Sequence, residues 1–184
     1  MNLKITSAVV ILTIGLSLTA CSNNEDTGVS IESVEPAELQ EYQETFIGSN
    51  SDVSGILSNL PGNTMQKEYS VADQNLTVSY DTGQLDSQQD DGWYNNENGV
   101  KETFYHNSLY IAALIDNVEK IEFSLVNEQT EYTWTISKTE LEDFLETDLS
   151  EEIKNEQAWN DYINEQLNTK NIESIYEEFP LEIQ

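Results

Sequence analysis

Hydrophobic and polar residues recur along the chain in two periods, and each change of period marks an element. Val53, Ile56, Leu57 and Leu60 fall at i, i+3, i+4 and i+7, the spacing of one apolar helix face. Asn50, Ser51 and Asp52 precede them as candidate caps, and Pro61-Gly62 stops the pattern. Tyr69 and Val71, then Leu76, Val78 and Tyr80, alternate instead. With Ala72 to Asn75 as a turn, they predict a β-hairpin. From Glu102 the helical period returns in Phe104, Ser108, Ile111, Ile115 and Val118. Ile121, Phe123 and Leu125, a turn over Asn127 to Gln129, and Tyr132, Trp134 and Ile136 predict a second hairpin. Ser137-Lys138-Thr139-Glu140 has capping-box form, and Leu141, Phe144 and Leu145 give the apolar face of the helix it opens. Past Asp148, Ala158, Trp159, Tyr162, Ile163 and Leu167 form an amphipathic stripe. Ile172, Ile175, Tyr176 and Phe179 keep helical spacing up to Pro180.

The order helix, hairpin, helix, hairpin, helix predicts an α+β domain. Its expected form is a four-stranded, mostly antiparallel sheet of two hairpins with helices packed on one face, plus a C-terminal acidic helix. That arrangement buries every alternating set at once.

The first residues follow a different rule. Ile5 to Leu18 is apolar or small and uncharged, behind Lys4. The run is short for a bilayer span, which needs about 20 apolar residues, and it suits the core of a signal peptide. It ends in Leu18-Thr19-Ala20-Cys21, which resembles a bacterial lipobox. That resemblance implies cleavage before Cys21 and a diacylglycerol on its thiol, so Cys21 is the expected lipid-attachment residue. Cys21 is the one cysteine, which leaves no intramolecular disulfide. The expected organisation is a signal peptide over 1–20, an acidic flexible tether over 21–38, an α+β domain over 39–147 and an acidic helical extension over 148–184. The expected location is the extracytoplasmic face of the cell membrane, held by a lipid anchor.

Charge narrows the partners. The chain has 35 Asp plus Glu against 7 bases, all lysine, for a net charge of −28. Such a chain cannot neutralise phosphates, so nucleic acid is excluded as a partner. Without arginine, bidentate recognition of phosphate or carboxylate is absent too. From Lys138 to Gln184 there are 14 acids and 3 lysines, which places much of the charge on a solvated end. Self-repulsion of this size destabilises the compact state at low ionic strength.

Candidate chemistry is sparse. His106 is the one histidine, and no nucleophile motif accompanies it, so a structural histidine at the surface or half-buried is expected, and no catalytic residue. Asp86, Asp90, Asp91, Asn95, Asn96 and Glu97 offer oxygen ligands, but their spacing does not match an EF-hand loop. A solvated acidic loop is expected there, with no metal and no cofactor. Trp93 and Tyr94 stand out in the polar stretch 82–98. They are the candidate partner contacts, with packing over the sheet edge as the alternative.

Two stretches resemble a bacterial family, domain of unknown function 4825. One runs from Tyr42 through Phe46-Ile47-Gly48-Ser49-Asn50-Ser51-Asp52-Val53 to Ile56-Leu57-Ser58-Asn59-Leu60-Pro61. It is similar to the family's opening, an aromatic, Gly, Asn, Ser and Val leading into an Asn-Leu-Pro helix stop. The other is Leu114-Ile115-Asp116-Asn117-Val118-Glu119-Lys120-Ile121-Glu122-Phe123, similar to the family's join between central helix and following strand. The resemblance covers roughly Leu39 to Thr147 and carries no catalytic residue with it. It implies an envelope setting, on lipoproteins of Gram-positive bacteria or attached to membrane metalloproteases. The expected function is a membrane-anchored lipoprotein with a non-enzymatic ligand- or protein-binding domain and a possible envelope protein partner. The rival expectations are a sensory accessory module for a membrane protease or signalling protein, and a small hydrolase.

Overall fold

The structure is a computed structural model that describes residues 28–85 and 92–184. The expected signal peptide, Cys21 and the carboxylates of Asp86, Asp90 and Asp91 lie outside the described residues. No described helix is long and apolar enough to cross a membrane.

Both expected hairpins are present. β1 (Gln66–Ala72) pairs antiparallel with β2 (Asn75–Asp81), through Asp73 and Gln74, which both take positive φ. β3 (Lys120–Asn127) pairs antiparallel with β4 (Thr130–Ser137). The sheet itself departs from expectation. It has five strands in the order β1-β2-β3-β4-β5 and is mixed, not a four-stranded antiparallel array. β2 and β3 run parallel, with Val78 opposite Phe123 and Tyr80 opposite Leu125. The reason is the long helix between them, which carries the chain back to the starting end of the sheet. The fifth strand, β5 (Glu182–Ile183), pairs with Tyr132 and Thr133 of β4. Two residues carry no readable period, so pattern alone does not reveal this strand.

One face of the sheet is apolar and buried: Leu76, Val78, Tyr80, Ile121, Phe123, Leu125, Trp134 and Ile136. Thr77, Ser79, Glu122, Ser124, Thr133 and Thr135 lie on the other face, half-buried or exposed. Helices therefore cover one side, as a half-polar sheet requires. α1 (Pro36–Leu39) and α2 (Asn50–Ser58) precede the sheet. The expected stripe Val53, Ile56, Leu57 and Leu60 is wholly in the core.

α3 (Glu97–Leu114) is the crossover. It begins more than a turn before the expected Glu102. It also ends earlier: Ile115 is extended and bridges to Thr45 instead of continuing the helix. Every residue from Thr103 to Ile115 is buried, which requires a second layer on the side away from the sheet.

The C-terminal segments supply that layer. α4 (Lys138–Leu145) opens with the expected capping box, Ser137 and Glu140 each bonding the other's backbone N–H. In place of one acidic helix come α5 (Leu149–Glu152), α6 (Glu156–Gln166) and α7 (Thr169–Glu178). Trp159 is fully buried edge-on against Tyr110 of α3, at 5.3 Å between ring centres. The Tyr176 hydroxyl donates to the Lys101 carbonyl at 2.9 Å, and the Trp134 indole donates to the Phe179 carbonyl at 2.8 Å. Ala158 is the exception to the expected stripe and faces solvent. At the other end, the stretch from Gly28 lies against the domain. The Val29 amide donates to the Asn63 side chain at 3.0 Å, and Ile31–Ser33 form a 3-10 turn.

Candidate functional site

Asn96 fixes the start of α3, its side chain accepting from the Gly99 amide at 3.0 Å. Just before it, Trp93–Asn95 make a 3-10 turn. The turn packs so closely on the helix that a Cβ at position 99 would land on the Trp93 carbonyl. Only glycine permits that approach. The Trp93 ring is then held edge-on to Tyr80 at 6.0 Å and to Phe104 at 6.1 Å. The other neighbour is Gly62, at φ +89°, whose backbone runs under the Tyr80 and Trp93 rings.

These contacts wall a cleft of about 160 Å³ over the first half of α3. Its lining includes Glu32 from the N-terminal turn, Pro61, Trp93, Gly99, Glu102 and Thr103. A broader cleft of about 340 Å³ lies on the far side of Glu102, between α3 and α7, lined by Lys101, Leu167, Ile172 and Tyr176 among others. Glu102 thus forms the partition between two hollows.

The smaller cleft carries unusual polar chemistry. The Trp93 indole N–H and the Thr103 hydroxyl are buried and have no hydrogen-bond partner, and Nε2 of His106 is in the same state one turn further along the helix. Native interiors leave few such atoms unpaired, and each unpaired group costs roughly 1–3 kcal/mol. The tautomer of His106 follows from its neighbour. The Asn107 amide nitrogen donates to the Pro61 carbonyl at 2.9 Å and to the Tyr80 hydroxyl at 3.2 Å. The Asn107 oxygen is therefore the acceptor that faces His106 Nδ1 at 3.1 Å. Nδ1 carries the proton, and Nε2 presents a lone pair. Burial drives the imidazole pKa down to about 4, against smaller upward pulls from Asn107 and Glu32. His106 is thus neutral at physiological pH. It is also fully buried, deeper than the surface or half-buried place expected for it. The Glu102 carboxyl is pushed up, first by burial and then by the negative charge of Glu32.

Of the two expected contact aromatics, Tyr94 is buried at 8% exposure and Trp93 is partly buried. Asn127 donates to the Tyr94 carbonyl at 3.0 Å and ties the turn to the end of β3. Pattern reasoning missed Glu32, Glu102 and Thr103. A signal existed: Gly99, Glu102, Thr103 and His106 stand at i, i+3, i+4 and i+7. This is a polar stripe on a helix that is otherwise core. Among the described residues, no group of three or more His, Cys, Asp or Glu side chains is placed to hold a metal ion.

An α+β domain of mixed sheet and crossover helix is the class that this geometry defines. The family model for a domain of unknown function (DUF4825) matches residues 39–137. The match spans more than half of the chain, and the protein belongs to that family. No curated protein and no solved structure matches the chain. The matched interval holds Pro61, Trp93, Gly99, Glu102, Thr103 and His106, whereas Glu32, α6 and α7 fall outside it.

Proposed function

We propose that the protein is a membrane-anchored, extracytoplasmic lipoprotein whose domain binds a ligand or an envelope protein without transforming it chemically. The observation that carries the binding reading is the cleft at Glu102, with buried polar atoms that no group among the described residues satisfies. Groups left unpaired in this way gain most when a ligand completes them.

The non-enzymatic part rests on the pairing of Thr103 and His106. They lie one turn apart on the same helix, yet no hydrogen bond joins the hydroxyl to Nε2. An imidazole titrating near 4 is also a weak base for activating a hydroxyl. The anchor rests on the sequence Leu18-Thr19-Ala20-Cys21.

Fractionation tests the anchor. Wild-type protein is expected to stay with membranes through a carbonate wash, and Cys21→Ala protein that also stays would refute lipid attachment. Crosslinking in intact cells, against a control carrying only residues 1–38, tests binding. Recovery of nothing above that control counts against an envelope protein partner. Turnover of an ester, peptide or glycoside substrate that is lost in Thr103→Val or His106→Gln would make the protein an enzyme.

A further inference from the structure

We propose that the cleft between the Ser30–Glu32 turn and α3 is a binding site for a primary ammonium group with a hydrogen-bond acceptor beside it. That is the chemistry shared by a peptide N-terminus and by a small amino-acid amide. The inference rests on reading this cleft as a binding site and adds the class of ligand.

Charge sets the first half of the specification. Glu32 and Glu102 both line the cleft, and the negative charge of Glu32 adds to burial in raising the Glu102 carboxyl. A cation between them removes that repulsion, and an anion adds to it. Hydrogen bonding sets the second half. A primary ammonium has three N–H donors. Two carboxylates accept two of them, and the hydroxyl of Thr103, a lining residue whose buried oxygen has no partner, accepts the third.

The Trp93 indole is the remaining unpaired group of the lining, and it can only donate. A bare amine leaves it unsatisfied. A carbonyl oxygen next to the ammonium completes it. A free carboxylate at that place would meet the two glutamates, which favours an amide or a peptide carbonyl. The cleft volume of about 160 Å³ admits a group the size of one amino-acid residue. A metal cation suits the site poorly, because the lining mixes two carboxylates with an N–H donor.

The three tryptophans provide the test. Each gives one indole N–H resonance in a nitrogen–proton correlation spectrum of the full-length protein in detergent micelles. Trp93→Phe assigns the Trp93 signal by its loss. Trp134, already bonded to the Phe179 carbonyl, serves as an internal control. L-alaninamide at pH 7, at an ionic strength of about 150 mM where the Debye length is about 8 Å, is expected to move the Trp93 signal saturably and leave Trp134 in place.

Glu32→Gln, on an exposed turn whose change leaves the core intact, is expected to weaken that response roughly tenfold, as loss of one charge-assisted hydrogen bond does. Thr103→Val is expected to weaken it several-fold. Tri-alanine binding more tightly than alaninamide identifies a peptide N-terminus as the source, and equal binding identifies a small amine. N-acetyl-alaninamide moving Trp93 as well as alaninamide does would overturn the ammonium class while leaving the cleft as a binding site. So would the same response to tetramethylammonium, which has charge but no donor. If none of these probes moves Trp93, both the ligand class and the cleft as a small-molecule site fail.

Discussion

The two halves of α3 share one backbone and one pair of flanking layers, yet their chemistry differs. From Asn107 onward the helix carries Leu109, Tyr110, Ile111, Ala112, Ala113 and Leu114, none more than 2% exposed. Its end is tied by backbone bonds, the Thr45 amide to the Leu114 carbonyl at 3.0 Å and the Asp116 amide to the Thr45 carbonyl at 2.9 Å. From Glu97 to Glu102 only Val100 is buried, and Glu102, Thr103 and His106 leave a carboxylate, a hydroxyl and an imidazole lone pair beside or behind a cleft. One half gains stability from apolar area, whereas the other gives some up to keep polar groups available. Unpaired buried polarity of this kind calls for an explanation, and a ligand in the adjoining cleft would supply one.

Substitutions that separate the halves test this contrast. The largest effect is expected in the apolar half: Leu109→Ala removes a fully buried side chain and should cost about 2–5 kcal/mol in a denaturant melt. A loss below about 1 kcal/mol would mean that this half is not core.

Next comes pH. Folding holds His106 neutral down to a pKa of about 4, against 6.5 for the free group. The unfolded chain therefore binds more protons across that window. Stability contributed by His106 is complete above pH 6.5 and declines as the pH falls toward 4, by up to about 1.4 kcal/mol per pH unit. Asn107, Tyr110 and Glu32 are the neighbours that bear on it. The raised Glu102 and Glu142 act in the opposite direction. The comparison is thus between wild type and His106→Gln, whose melts should converge as the pH drops. Parallel curves would refute the buried neutral imidazole.

A smaller effect of opposite sign is expected at Thr103→Val, which keeps the shape and deletes an unsatisfied hydroxyl. Its stability should be unchanged or higher by up to about 1 kcal/mol. A loss beyond that range would show that the hydroxyl is paired. The smallest effect is salt. Screening between about 10 mM and about 1 M should raise the melting temperature by roughly a few degrees, given a net charge of −28. Leu109→Ala should keep that dependence. Glu102→Gln should flatten it slightly, because one of two facing charges is gone.

Much of the fold was legible because its periods are long. Seven or eight residues of alternation define each strand of the hairpins, and Val53, Ile56, Leu57 and Leu60 define α2. The start of α3 was not legible, since Glu97 to Lys101 holds a glycine and one apolar residue. Its helix is set instead by the Asn96 cap and by packing of the Trp93 turn. The parallel seam between β2 and β3 was also hidden, because strand direction depends on where a crossover returns and not on residue period. The cleft was the least legible part. It joins Glu32, Pro61, Trp93 and Glu102, which are distant in sequence and share no motif. The polar stripe on α3 was its only local trace.

The parallel seam also has a meaning in time. The two hairpins each close over a two-residue turn, and such closures take about 1–10 μs. Joining Asn75–Asp81 to Lys120–Asn127 must wait for the whole intervening segment to fold back, a slower event dominated by loop entropy. Trp93, Gly99, Glu102 and Thr103 all belong to that segment. The cleft therefore matures no earlier than the parallel seam, and a chain arrested before that moment has both hairpins and nothing between them to bind with.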